Sequence, residues 1–177
     1  MNLNSFFQND SFASSTSRGL IAGIIGGLAG TVVKSLVEEF LPVRKVEQRS
    51  AQIKIVDELS TKITGSPVSI HNEGLAEQLV SFPFGASVGA AYGYGKKDKD
   101  AYNISDGVIL GASTWFSTHE TSLPILGLEP KPTDVPIRMQ INELLAHVLF
   151  GITTEVVRSA VNQKLKKEQR FLPRSGS

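Results

Sequence analysis

Four apolar stretches alternate with polar ones along the chain. The first holds the uncharged run GLIAGIIGGLAGTVV from Gly19 to Val33 and continues through Leu36 and Val37 to Leu41. This pattern predicts one helix over 19–41, about the 20 residues that cross a bilayer. Residues 42–73 are polar and open with Pro42. Within them Val46, Ile53, Val56, Leu59 and Ile63 recur at helical spacing, so the segment reads as an extramembrane connector with an amphipathic helix. A second span is predicted over 74–95, with Glu77 as its only charge. It ends at Lys96-Lys97-Asp98-Lys99-Asp100, which reads as a solvated turn. A third, over 104–128, begins apolar and turns polar at STWFSTHETS before Pro124 and the Pro-rich connector from Glu129 to Pro136. A fourth covers 139–161, MQINELLAHVLFGITTEVVRSAV. Residues 1–17 read as a flexible N-terminal leader, 18–161 as a single membrane domain and 162–177 as a basic C-terminal tail. A cleaved signal peptide competes for the first stretch, but the leader carries no basic residue and no small-x-small exit follows.

Glycine sharpens this picture. Gly19, Gly23 and Gly27, then Gly26 and Gly30, Gly85, Gly89 and Gly93, and Gly107 and Gly111 recur four apart within predicted helices. Each glycine costs a helix in water about 0.5–1 kcal/mol relative to alanine. Close helix pairing in lipid gives a reason to bear that cost. The expectation is an all-α fold, a four-helix integral membrane bundle with glycine-rich packing. A soluble helical bundle with glycine crossings is the alternative. Outward glycine faces would permit a homo-oligomer, and the same seams would serve equally within one chain.

Charge and composition remove several function classes. The 177 residues hold 18 Lys+Arg against 17 Asp+Glu, a net of +1, without the basic field that nucleic acid requires. The absence of cysteine excludes disulfides, thiolate metal sites and a cysteine nucleophile, leaving three histidines and the carboxylates to hold any metal. A phosphate loop, a dinucleotide fingerprint, a G-x-S-x-G elbow and an H-E-x-x-H motif are all missing. Neither an enzyme nor a bound cofactor is expected.

Several of these residues resemble a known family. GLIAG with Lys34 and Glu38, the Leu41-Pro42-Val43-Arg44 exit, PILGLEP from Pro124 to Pro130, and Glu143, His147 and Glu155-Val156-Val157-Arg158 are together similar to the YagU-type inner-membrane proteins of bacteria. The likeness runs in fragments from about residue 18 to 161. It implies an integral inner-membrane protein with no established catalysis and a link to acid tolerance. The expected role is accordingly noncatalytic, in envelope maintenance or acid-stress tolerance, with the lipid bilayer as partner.

Ionisable residues inside spans are costly in lipid and should face protein or water. If the four segments cross alternately, Lys34, Glu38, Glu77, His119, Glu120, Glu143 and His147 share one side of the membrane, whichever way the protein is inserted. They are the candidate intramembrane polar cluster, with Lys34 and Glu38 placed to pair at i,i+4. Glu155 and Arg158 belong to the other side, where Arg158 would snorkel to the interface. Basic residues outside the spans are more numerous on the side of both termini, which predicts cytoplasmic termini. Three readings of the cluster stay open. Glu143 and His147 with His119 or Glu120 could hold a divalent metal; the histidines could respond to protons as part of a transporter or channel; or the groups could simply join helices. His71 is expected to be solvent-exposed. Trp115, Phe116, Tyr92 and Tyr94 read as interface anchors or packing residues.

Overall fold

A computed structural model of the chain describes residues 3–44 and 48–171, with side chains placed over 15–44 and 48–168. The described residues are helical, without strands. Helix α1 runs Leu3–Phe40, α2 Ala51–Thr64, α3 Glu73–Gly95, α4 Ile104–Ser117, α5 Leu123–Ile125 and α6 Ile137–Phe171. A wider π turn, Thr118–Ser122, joins α4 to α5.

Local signals set these ends. The Ser50 hydroxyl accepts from the Ile53 N–H at 3.2 Å and starts α2, while Gly65, at φ 77°, stops it in the left-handed region that L side chains avoid. Asn103 caps α4 by accepting from the Ser105 N–H at 3.0 Å. Two expected boundaries move. Helix α1 begins at Leu3, inside the segment 1–17 expected to be a flexible leader, and α6 continues to Phe171, through much of the expected 162–177 tail. Arg174 of that tail, and Lys45 and Val46 of the connector, lie outside the described residues.

The long helices pack in the order α3, α1, α6, α4, with α2 against α3. Glycine fixes both sides of α1. A Cβ on Gly23 would stand 2.1 Å from the Gly89 carbonyl oxygen, one on Gly27 2.1 Å from that of Gly85, and one on Gly93 2.2 Å from that of Gly19. These are antiparallel backbone contacts that admit only hydrogen. Gly26 and Gly30 form the second face, against the Thr154 and Phe150 backbone of α6. Gly107 and Gly111 of α4 meet Gly151 and His147 in the same manner. The seams are thus occupied within one chain.

Side-chain burial is inverted relative to a water-soluble bundle. The largest fully buried side chains are Arg158, Glu155, Asn162, Thr154 and Ser159, while Phe40 is 80% exposed and Ile109 65% exposed. Ile21, Ile25, Val32, Leu36, Leu79, Phe116, Ile141 and Leu145 are exposed as well. Of the four expected spans, two lie in helices long and apolar enough to cross a membrane, Ser15–Phe40 and Ile137–Glu168. Helix α3 and the α4–α5 segment do not reach that combination of length and apolarity, because one carries Glu77, Gln78 and Pro83 and the other turns polar at Ser117.

Candidate functional site

The polar end of the third segment distorts its helix. Hydroxyls crowd the run from Ser113 to Ser122 and donate to carbonyls a turn back: Ser113 to Ile109 at 2.6 Å, Thr114 to Leu110 at 2.8 Å and Thr118 to Thr114 at 2.7 Å. Beyond Ser117 the ladder widens. The Leu123 N–H reaches the carbonyl of Thr118, five residues back, and the Thr121 and Ser122 hydroxyls donate to Phe116 and Ser117 over the same interval. Such π turns insert one residue, shift the helical phase and recur at functional sites. Here the turn carries His119.

Two carboxylates converge on that histidine. Nδ1 of His119 lies 2.8 Å from Glu129 Oε2 and 3.0 Å from Glu143 Oε1. The His147 ring stands edge-on to the His119 ring, with centroids 4.9 Å apart and planes at 71°. Nδ1 of His147 is 2.9 Å from the Glu143 backbone carbonyl. A carbonyl only accepts, so this nitrogen donates, and Nε2 of the neutral ring is left with the lone pair. Helices α4 and α6 bring the two rings together through the Gly111–His147 crossing.

The cluster separates two cavities. The inner one, about 130 Å³, is lined by Lys34, Ser35, Gln52, Thr114, His119 and His147 among others, so that α2 forms one wall. The second, about 570 Å³, is bounded by Arg44, Arg49, Lys54, Glu129 and Glu143. Both carboxylates that meet His119 therefore also face the larger space.

Of the other expected cluster residues, Lys34, Glu38 and Glu77 lie at this end of the molecule in ion pairs. Lys34 bonds to Glu38 at 2.5 Å, and Glu77 accepts from Arg44 at 2.8 Å. Glu38, Glu77 and Arg44 line a third cavity of about 380 Å³. Burial opposes the Arg44 charge, but the hydrogen bond to Glu77 and the nearby carboxylates outweigh it and raise its pKa above the ordinary value. Glu120 shares the π turn with His119 but lines none of these cavities. Glu129 and Arg44 were not anticipated. Both lie in connectors, where helical periodicity says nothing; the weak clue to Glu129 was its place in the PILGLEP stretch.

The opposite end holds a second polar network. Arg158 and Glu155 pair at 2.7 Å with side chains 1% exposed. Glu155 also accepts from the Tyr92 hydroxyl and the Asn103 N–H, each at 3.0 Å. Arg158 donates to the Lys99 carbonyl at 3.0 Å, and the Ser159 hydroxyl donates to the Asp100 carbonyl at 2.5 Å. This corrects one expectation: Arg158 is enclosed by protein rather than snorkelling. The 96–100 charge run is the expected turn, with Asp98 and Lys99 exposed, and α6 holds its Lys99 and Asp100 carbonyls. Tyr92 is a packing residue of this network. His71 is exposed.

Residues 28–156 match the family model described as "Protein of unknown function (DUF1440)". No curated protein and no solved structure matches the chain.

Proposed function

We propose for this chain, which belongs to the DUF1440 family, a noncatalytic role as a multi-pass inner-membrane protein that handles protons at its His119–His147 end. The membrane part of this reading is supported by the inverted burial. A buried Arg158–Glu155 pair and an outer surface of Ile, Leu and Phe suit helices surrounded by hydrocarbon, whereas water would leave that apolar surface uncovered. All four long segments then cross the bilayer; α3 and the α4–α5 segment, less apolar, rely on the pairing of their polar groups with neighbours. The early part of α1, where Arg18 donates to Asn162, and the later part of α6 lie at the end of the Arg158 network, and the basic residues there favour the cytoplasmic side.

The observation that carries the proton reading is the convergence of Glu129 and Glu143 on one imidazole nitrogen, with a second imidazole in ring contact. Glu129 and Glu143 face the larger cavity, His119 bridges, and His147 faces the inner one. A proton taken up at a carboxylate has His119 directly before it, and the His147 ring in edge contact is the next titratable group. The resemblance to YagU-type proteins, with their link to acid tolerance, is consistent with such a role in acid stress or envelope maintenance.

Two measurements test the proposal. Sodium carbonate extraction should leave the chain in the membrane pellet, and release into the supernatant ends the membrane reading. In reconstituted vesicles with a pH-sensitive dye inside, His147→Ala and Glu143→Gln should each slow the proton flux driven by an imposed pH gradient. Flux equal to the parent in both variants, with assembly intact, ends the proton reading.

A further inference from the structure

We propose that His119, Glu129 and Glu143 form a binding site for a divalent first-row transition cation of the Zn2+ type. The inference uses the same cluster as the proton reading but does not depend on proton transfer. Each of the three residues offers a ligand atom, and those atoms all lie within 4.8 Å of one another. One imidazole nitrogen and two carboxylate oxygens are a donor set that Zn2+ accepts at about 2.0–2.2 Å. Tetrahedral coordination at that length sets neighbouring donors roughly 3.4 Å apart. The observed 2.8 and 3.0 Å around Nδ1 therefore require each carboxylate to retreat by only a few tenths of an ångström.

Charge and connectivity favour the same ion. Two carboxylates supply the two negative charges that a divalent cation neutralises. Both carboxylates converge on the same Nδ1, so one ion at that point would meet all three donors. Binding puts the cation where the Nδ1 proton was, and the coordinating imidazole stays neutral by carrying its proton on Nε2. Mg2+ and Ca2+ are disfavoured, because they take six or more oxygens and do not seek imidazole. The nearby cations do not block access: Arg44 is paired with Glu77, Arg49 with Glu73, and Lys54 donates to the Leu128 carbonyl. The carboxylates come from different places, Glu129 from the connector after α5 and Glu143 from α6, so the ion would tie that connector to the helix.

Zn2+ alone is the probe. The full chain, purified without a histidine tag and stripped of metal, should take up one Zn2+ per chain in a competition titration against a fluorescent chelator. Glu129→Gln and Glu143→Gln, which preserve side-chain shape, should each weaken that binding by at least about tenfold, since even outer-shell changes cost this much. His71→Ala should bind as the parent. Co2+ should give a visible absorption band that is lost in His119→Asn. The proposal falls if no saturable one-to-one binding occurs, if both Glu→Gln variants keep parental affinity with their helical circular dichroism unchanged, or if Mg2+ competes as well as Zn2+. Variants that lose Zn2+ binding but keep parental flux would remove the proton reading and leave the metal site; variants that lose flux but keep Zn2+ binding would remove the metal site and leave the relay.

Discussion

Replacing Gly23 by alanine sets two physical effects against each other. In an isolated helix the change is favourable by about 0.5–1 kcal/mol, because alanine gives up less backbone freedom on folding. In this protein the new methyl carbon would stand 2.1 Å from the Gly89 carbonyl oxygen, 2.9 Å from its carbonyl carbon and 2.9 Å from Gly93 Cα. All three are backbone atoms, so no side chain can swing aside. Helices α1 and α3 must part by more than an ångström to restore van der Waals contact, which loosens the neighbouring Gly19–Gly93 and Gly27–Gly85 crossings. Overpacking of this kind costs about 1–3 kcal/mol. Subtracting the propensity gain leaves a net loss of up to about 2.5 kcal/mol, centred on about 1 kcal/mol, or roughly 2–5 °C in melting temperature at that centre for a chain of this size. Gly95→Ala is the matched control, since nothing stands within 4 Å of its Cβ position. Thermal unfolding in detergent, followed by helical circular dichroism, should show Gly23→Ala melting lower than the parent and Gly95→Ala melting at or above it. A Gly23→Ala protein that melts as high as Gly95→Ala would refute the seam.

Three further outcomes are expected. Arg158→Ala leaves Glu155 buried without its partner and should cost about 3–5 kcal/mol, with faster amide exchange at Asn103, whose N–H bonds to Glu155; unchanged exchange would mean that the network does not hold the turn. Ile109→Lys places a charge on a side chain 65% exposed. Surrounded by lipid it should lower membrane integration by about 2.5–3.5 kcal/mol, whereas in water it would be close to neutral, so normal carbonate-resistant integration would count against a bilayer around α4. Outside the spans, the Glu58 carboxylate accepts from Lys62 at 2.6 Å, and this bond holds its pKa below the ordinary value. The depressed value means that the pair contributes at neutral pH and that its contribution is lost as pH falls through the folded-state pKa. An NMR titration should show Glu58 returning toward its ordinary value in Lys62→Gln, and an unaltered titration would show that the pair does not form.

The candidate site was only half legible in the chain. His119, Glu143 and His147 stood out because ionisable residues interrupt apolar runs, and placing the segments at matching heights put them in one region. Glu120 was indistinguishable from His119 at that level. A π turn separates their roles, and it depends on hydroxyls competing for carbonyls along a whole decapeptide rather than on any single residue. Glu129 and Arg44 gave no periodic signal, since both lie in connectors whose path is set by the helices they join. Arg158 reads as a snorkelling residue because it stands near the end of its span; the Glu155 three residues before it and the carbonyls of the 96–100 turn enclose it instead.

By itself the sequence determined the helices, their approximate extents and the need for close backbone approach, because apolar runs, caps and glycine spacing act within one or two turns. Tertiary structure decided which seams meet. Three glycines four apart fit any similar row, and only the antiparallel docking of α1 on α3 selects Gly89 and Gly93 as the partners of Gly23. It also decided that Glu129 should reach His119, since a contact between a connector and a helix depends on how the backbone is folded in three dimensions, which local pattern does not encode.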